Sequence, residues 1–274
     1  MAKVYRQLAG GAIMRRMTGQ AAVRKATHMA LGRTARRIAP ILLLVLVGLG
    51  IFRELAFTDR ILGRGDTFVY FYPYWTARDA AFQSGELPLW TPDLFMGAPL
   101  LANPQLGTLY PPNWLTIGLA APDAVRVSIL LHIGWAILGA YILARHGLRL
   151  SAAGAVVGAA LYGLGGYVGA HVEQINQLQG LAWTPWAFWL IGRVVQMSVM
   201  DDETSTGTQP AVSLRTRALN VVLLGAVFAL QFLAGHTQTV FVTVVGITVW
   251  LIAANRPRGL LALGGAGIVA LVLA

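Results

Sequence analysis

The sequence contains no cysteine, and only 12% of its 274 residues are charged. The first absence excludes a disulfide framework and any thiolate metal site. The second sets the chain apart from soluble domains, in which about 25% of residues carry a charge. Apolar residues make up 56% of the chain and form long blocks between short polar segments, with a mean hydropathy of +0.62. This pattern is typical of membrane-spanning helices.

Acidic residues are absent from residues 1–38, which hold nine Lys or Arg. Further basic residues lie in short segments between apolar blocks. This distribution follows the positive-inside rule and does not suggest a phosphate-binding face, so no nucleic acid is expected despite the net charge of +10. We expect residues 1–38 to be a cytoplasmic segment, the alternative being an Arg-rich transit peptide. "FRELAF" offers no small-x-small cleavage site, which favours a retained anchor over a signal peptide.

Seven apolar segments predict an all-α polytopic membrane protein over residues 39–274. Each segment approaches the ~20 residues needed to cross ~30 Å of hydrocarbon. The predicted spans are 39–57, 124–144, 151–170, 181–199, 218–234, 240–254 and 260–274. The last one is only 15 residues long and lacks a flanking charge. We therefore expect it to be incomplete and the C-terminal remainder of a longer chain to be missing.

The loops differ in composition between the two faces of the membrane. With a cytoplasmic N-terminus, the Arg-bearing segments 145–149, 201–217 and 255–259 fall inside. The segments that fall outside are 58–123, 171–180 and 235–239. These outer segments hold carboxylates, histidines, amides and aromatic residues, so we expect any chemistry on the extracytoplasmic face.

The first extracytoplasmic loop, residues 58–123, is long and partly helical by prediction. Six of the chain's twelve prolines lie between residues 88 and 112, which excludes a long helix or a central strand there. Its interspersed Leu, Phe, Tyr and Trp residues predict an ordered loop, because a disordered linker would lack them. Residues 73–85 predict a short helix, with Pro73 in its first turn and Gly85 at its end.

Three motifs in and beyond this loop resemble a known family. They are "GDTFVYFYP", "GELPLWTPDLFMGAPLLANPQLGTLYPPNWL" and "AGHTQ". Together they are similar to the YfhO-type bacterial membrane proteins of the GT-C superfamily of integral-membrane glycosyltransferases, over about residues 40–250. The resemblance implies a multi-pass protein of the bacterial cell membrane. It also implies transfer of a sugar from a polyprenyl-phosphate-linked donor to an extracytoplasmic acceptor, which would be a cell-envelope glycan, lipid or protein. An Asp in the first outer loop is the catalytic carboxylate of that superfamily, and Asp66 matches its position.

The residue types in the outer loops fit this chemistry. Sugar transfer needs a base near the acceptor hydroxyl, for which Asp66 is the candidate, and donors near the leaving phosphate. Arginines suit the phosphate, histidines suit an acid or a phosphate ligand, and aromatic faces suit sugar rings. The predicted substrate-binding residues are Arg60, Arg64, Arg78, Tyr70, Tyr72, Trp75, His171, Glu173, His236 and Gln238.

Several alternatives stay open at this point. Asp66 is also suited to capping a helix, and the aromatic cluster around it to an interfacial belt. The chain could instead be a transporter or flippase of lipid-linked sugars, or a non-catalytic subunit of cell-envelope assembly. The sequence contains no P-loop, HExxH or Cys-His zinc spacing, so no cofactor or metal is predicted. A divalent cation held by Asp66 and Glu173 is left as an option.

Overall fold

The computed structural model of the chain describes residues 38–58, 60–63, 65–204 and 214–274. The chain divides into two units, Met1–Leu43 and Leu44–Ala274. In the first unit, the described residues 38–43 are helical. The predicted cytoplasmic segment 1–38 thus lies outside the described residues except for its last position. The remaining elements and the candidate site belong to the second unit.

Most of the described residues are helical. The helices are α1 Ile38–Ile51, α2 Arg53–Phe57, α3 Tyr72–Gln83, α4 Pro111–Trp114, α5 Ala121–Ile142, α6 Ala152–Gly163, α7 Gly166–Ala170, α8 Ile175–Thr204, α9 Leu214–Leu233, α10 Thr237–Ala253 and α11 Pro257–Leu273. Two π-helical turns, Thr67–Phe71 and Leu143–Gly147, precede α3 and extend α5. Strands β1 Trp90–Thr91 and β2 Ala98–Pro99 pair antiparallel, with Trp90 opposite Pro99.

Among the described residues, three segments are long and apolar enough to cross a membrane. They are Ala121–Gly147, Ala152–Ala170 and Leu214–Leu233. Three shorter apolar helices, Ile38–Ile51, Thr237–Ala253 and Pro257–Leu273, coincide with three of the other predicted spans. The coarse prediction of a mostly helical protein with helices long and apolar enough to span a membrane is therefore confirmed, and the number of seven spans stays a prediction.

Helix α8 differs most from its predicted span. It begins at Ile175, inside the segment 171–180 that was predicted to be a loop, and continues for 30 residues through Pro185. Polar residues of its first turns are buried, including Asn176, Gln177 and Gln179. Hydropathy misplaces this helix start because these amides face protein neighbours, whereas a hydropathy scale treats them as facing lipid.

Helix α8 is the central helix of the packing. This helix contacts α5 on one side and α9 on another, and α9 packs against α11. Helices α8, α9, α10 and α11 share an apolar core that contains Ala187, Leu190, Ile191, Leu224, Phe228, Ile247, Leu251 and Ala266. At Gly225 in α9, an added Cβ would lie 2.6 Å from the Val269 side chain of α11. Such small residues allow helix backbones to approach closely within a membrane.

The described residues of segment 58–123, which is predicted to be an outer loop, form short helices, turns and a strand pair, in agreement with its composition. The predicted helix 73–85 is confirmed as α3, which ends two residues before Gly85 (φ +80°). Beyond it, prolines begin a 3₁₀ turn, Pro104–Leu106, and the short helix α4. Proline suits these starts because the first turn of a helix has no partner for its N–H groups.

A buried hydrogen-bond network ties this loop to the helices. His132 in α5 donates from Nδ1 to the Ser128 carbonyl oxygen at 2.7 Å, so its Nε2 accepts from the Tyr110 hydroxyl at 2.8 Å. The same Tyr110 oxygen accepts from Trp183 Nε1 at 2.7 Å. His132, an ionisable residue inside the predicted span 124–144, thus has both ring nitrogens bonded within the protein. This arrangement explains its presence without a transport path.

Candidate functional site

Asp66 stands at the start of the π-helical turn that leads into α3. The preceding Gly65 adopts a left-handed conformation (φ +50°), and Asp66 itself is exposed. Among the described residues, its side chain makes no capping hydrogen bond to the turn that follows. The capping alternative is therefore wrong for this geometry. π-Helical turns are rare and often occur at functional sites.

The Asp66 side chain lines a pocket of about 220 Å³. Its walls come from four separate parts of the chain and combine one carboxylate, three amides, one imidazole and two aromatic rings. They are Asp66, Tyr70, Phe71, Gln105, Gln174, Asn176 and His236. We call this the Asp66 pocket. Of the predicted site residues, Asp66, Tyr70 and His236 are brought together here.

A close backbone contact holds two walls of the Asp66 pocket together. Gly235 is left-handed (φ +82°), and a Cβ at this position would collide with the carbonyl oxygen of Pro104. Asn176 Nδ2 donates to the Gly235 carbonyl at 3.2 Å. On another wall, Asn103 Nδ2 donates to the Tyr70 hydroxyl at 2.5 Å. The glycine of the "AGHTQ" motif is thus required so that the proline-rich loop can reach His236.

His236 is held with its ring partly buried. Its Nδ1 is 2.7 Å from the Thr239 hydroxyl oxygen in the first turn of α10. Burial lowers the pKa of His236, and the neighbouring His171 lowers it further. His236 is consequently neutral near pH 7. His171 lies against the Tyr167 ring, with centroids 4.3 Å apart, and its Nδ1 is 2.7 Å from the Tyr167 carbonyl oxygen.

Glu173 contacts the turn that carries Asp66. Thr67 Oγ1 donates to the Glu173 carbonyl oxygen at 3.1 Å, and a Cβ at Gly65 would lie 2.5 Å from Glu173 Oε2. Glu173 therefore supports this turn from outside the pocket lining. Within the described part of the chain, no group of three His, Asp or Glu side chains is arranged to hold a metal ion.

The three arginines predicted to bind phosphate have different positions. Arg60 is exposed and pairs with Glu54 at 2.8 Å. Arg78 is only 1% exposed and pairs with Asp79 at 2.7 Å. Neither lines the Asp66 pocket. Arg64 lies outside the described residues.

Two of the three aromatic residues that were predicted to bind substrate are buried in the protein. Trp75 is 1% exposed, and the Arg78 guanidinium lies over its ring at 4.3 Å from the ring centroid. Tyr72 is also buried, with its hydroxyl donating to the Leu62 carbonyl at 3.2 Å. Both rings serve the packing of α3, and of the predicted aromatic residues only Tyr70 reaches the pocket. Sequence spacing does not distinguish these roles, because all three lie within one helical turn and a half.

A second cavity adjoins the first at His236. It measures about 350 Å³ and lies between α8 and α10, with α6 and α7 at one side. Its lining includes Tyr162, Tyr167, Gln177, Leu181, Thr184, Phe188, His236, Gln238, Thr239, Val242, Thr243 and Gly246. We call this the α8–α10 cleft. The predicted substrate-binding residue Gln238 lies here and not in the Asp66 pocket.

The residues of the Asp66 pocket that sequence reasoning missed are Phe71 and three amides. Gln105, Gln174 and Asn176 line the Asp66 pocket, but they were not among the predicted site residues. The signal was present in the outer segment "HVEQINQLQG", whose density of amides is unusual beside an apolar span. Their convergence with Gln105 depends on the contact between Gly235 and Pro104, which no local pattern predicts.

Comparison with known proteins finds no match to this chain among protein-family models, curated proteins or solved structures.

Proposed function

We propose that this chain is the catalytic membrane part of a YfhO-type glycosyltransferase of the GT-C superfamily. In this proposal seven spans, the last one incomplete, cross the bacterial cell membrane with the N-terminus in the cytoplasm. The enzyme transfers a sugar from a polyprenyl-phosphate-linked donor to an extracytoplasmic cell-envelope acceptor. The observation that carries the proposal is the Asp66 pocket, in which one carboxylate without a capping bond is surrounded by amides, an imidazole and aromatic rings.

The lining of the pocket suits a sugar. Gln105, Gln174 and Asn176 offer both donors and acceptors, which matches hydroxyl groups that also donate and accept. Tyr70 and Phe71 add apolar ring surface. Pockets for small polar ligands commonly combine apolar rings with a few placed polar groups in this way.

The second cavity suits the lipid portion of the donor. The α8–α10 cleft lies along two apolar helices and shares His236 with the Asp66 pocket. If the sugar of an amphiphile lay in the pocket and its lipid chain in the cleft, the phosphate that joins them would lie next to His236. A neutral imidazole there can donate one hydrogen bond to a phosphate oxygen.

The proposed step uses Asp66 as general base. Its carboxylate accepts the proton of the acceptor hydroxyl while that oxygen bonds to the anomeric carbon. The bond from the anomeric carbon to the phosphate oxygen breaks, and the polyprenyl phosphate leaves with the electron pair. Amide N–H groups and His236 stabilise the charge on the leaving oxygen.

Replacement of one carboxylate oxygen tests the proposal. We expect Asp66→Asn to lower transfer from a polyprenyl-phosphate sugar by about 10²- to 10⁴-fold, because Asn cannot accept the proton. The control is Asp123→Asn, since Asp123 belongs to the same outer segment but pairs with Arg126 at 3.2 Å. Radiolabelled donor in proteoliposomes provides the measurement.

The outcomes separate the alternatives. Unchanged transfer in Asp66→Asn would contradict its role as base. Movement of the lipid-linked sugar across the vesicle membrane without any transfer product would show that the protein is a flippase and not a glycosyltransferase. Absence of both activities from the wild-type chain would favour a non-catalytic assembly subunit.

A further inference from the structure

The outer loop presents a small β-hairpin with an apolar tip. Strands β1 and β2 flank Pro92–Gly97, and Leu100 N donates to the Leu89 carbonyl at 2.9 Å. Phe95 is 75% exposed and Met96 is fully exposed. Burying such side chains gains free energy, so their exposure at a structured tip indicates a contact surface.

The backbone of this tip is strained. Phe95 (φ 51°) and Met96 (φ 61°) are left-handed although neither is glycine. Gly97 follows with φ 117°, and an added Cβ there would lie 2.6 Å from the Trp90 ring. Left-handed non-glycine residues persist where the surrounding structure holds them, and they cluster at binding sites. The hairpin therefore fixes the direction of the Phe95 ring.

The Phe95 ring continues a line of aromatic rings that starts in the Asp66 pocket. Its centroid is 6.3 Å from that of Tyr74, and Tyr74 is 4.5 Å from Tyr70. Tyr70 lines the pocket, and Tyr74 is buried between its two neighbours. We call Tyr70, Tyr74 and Phe95 the aromatic row. Its separations fall within the range of ring pairs that stabilise one another.

We propose that Phe95 is the binding platform for a saccharide acceptor, stacking on a pyranose ring outside the pocket, and that the aromatic row fixes its position relative to Asp66. This inference deepens the proposed function, on which it rests, by naming the class of acceptor and the residue that recognises it. A saccharide has apolar C–H faces and a hydroxyl rim. The C–H face packs on Phe95, while hydroxyls further along the chain reach the amides and Asp66 at the other end of the row.

The charges near the tip favour a saccharide over a lipid surface. Glu86 and Asp93 are exposed carboxylates that flank β1. Insertion of Phe95 and Met96 into a bilayer would bring these carboxylates towards its apolar interior, where an ionised carboxylate loses its hydration at a high cost in free energy. Carboxylates accept hydrogen bonds from sugar hydroxyls at no such cost.

Substitutions of Phe95 separate stacking from apolar contact. The probes are maltohexaose, cellohexaose and chitohexaose, titrated against the full chain in lipid nanodiscs by intrinsic tryptophan fluorescence, for which the half-exposed Trp90 is a reporter. We expect at least one probe to bind, and Phe95→Ala to weaken it by about 3- to 10-fold. Phe95→Tyr should retain binding and Phe95→Leu should not.

The matched control is Phe68→Ala. Phe68 is also an exposed aromatic residue of this loop, but it pairs with Tyr72 outside the aromatic row. Equal losses in Phe68→Ala and Phe95→Ala would overturn the inference, as would full binding by Phe95→Leu. Failure of all three probes to bind would also overturn it. Bilayer insertion is tested by quenching of Trp90 with brominated lipids, and quenching that Phe95→Leu retains would assign the tip to the membrane.

Failure of this inference is distinguishable from failure of the proposed function. If wild-type protein transfers sugar and Phe95→Ala transfers it equally well at limiting acceptor, the platform is wrong and the enzyme stands. If saccharides bind through Phe95 but neither the wild-type protein nor any Asp66 variant shows transfer, the enzyme is wrong and the platform stands.

Discussion

Gly235 allows the sharpest test of how the Asp66 pocket is assembled. Replacing it by Ala adds one methyl group at a position whose backbone is left-handed (φ +82°). The new Cβ would collide with the Pro104 carbonyl oxygen, so the proline-rich loop must move away from the α9–α10 turn. That movement also disturbs the Asn176 hydrogen bond to the Gly235 carbonyl. We therefore expect both lower stability and an opened pocket.

Gly85 provides a control with nearly the same backbone. It also follows a helix, has φ +80°, and an added Cβ would meet nothing within 4 Å. Gly85→Ala measures only the cost of a left-handed Ala, about 1–2 kcal/mol. Gly235→Ala adds overpacking, about 1–3 kcal/mol, and a strained hydrogen bond. We expect it to destabilise the protein by about 1–3 kcal/mol more than Gly85→Ala does.

Two measurements check this expectation in lipid nanodiscs or mild detergent. Reversible unfolding gives the difference in free energy between the two variants. Hydrogen exchange at Leu106 and Gly107, whose amides donate to the Asn103 and Pro104 carbonyls, reports whether the loop has moved. Equal destabilisation in both variants, with unchanged exchange at Leu106 and Gly107, would refute the argument that Gly235 holds the pocket walls together.

Two further predictions concern the buried and partly buried histidines. Tyr110→Phe removes a hydroxyl that serves both His132 and Trp183, so denaturant unfolding should show a loss of about 2–4 kcal/mol from two unpaired buried groups; a loss below 0.5 kcal/mol would contradict the network. His236 has a pKa lowered by burial, so the unfolded chain binds more protons than the folded protein below pH about 6.5. Its contribution to stability is present above that pH and is lost as the pH falls through the pKa of the folded protein. We expect His236→Asn to reduce this dependence of the unfolding temperature on pH. An unchanged slope would contradict this role of His236.

Local patterns predict those parts of the fold that depend on local interactions. The helix after Pro73 ends beside Gly85 because a proline in a first turn and a glycine beyond a last turn act within a few residues. Loop charges predict that Asp66 and His236 lie on the same face of the helices, and both residues line one pocket. Patterns of this kind predict which loops share a face, but they do not predict the distances between side chains.

The burial of Trp75 and Arg78 shows where such reasoning stops. Both follow Asp66 within 12 residues of the sequence, in a segment that hydropathy predicts to lie outside the membrane. Their side chains are nevertheless almost completely buried, and α3 packs against α5. Long-range contacts decide which face of a short amphipathic segment is covered. Phe95 is the converse, since it lies 29 residues after Asp66 and yet extends the row of rings from its pocket.

The charge of the Asp66 pocket bears on how a lipid-linked sugar would lie in it. Asp66 is its one carboxylate, the three amides are neutral, and His236 is neutral near pH 7 because its pKa is lowered. A pocket with this net negative charge favours a neutral sugar over a phosphate dianion. The phosphate is then expected at the border with the α8–α10 cleft, where His236 can donate a hydrogen bond. His236 is thus the residue at which sugar, phosphate and lipid would meet, and the Gly235 contact that positions it matters to all three.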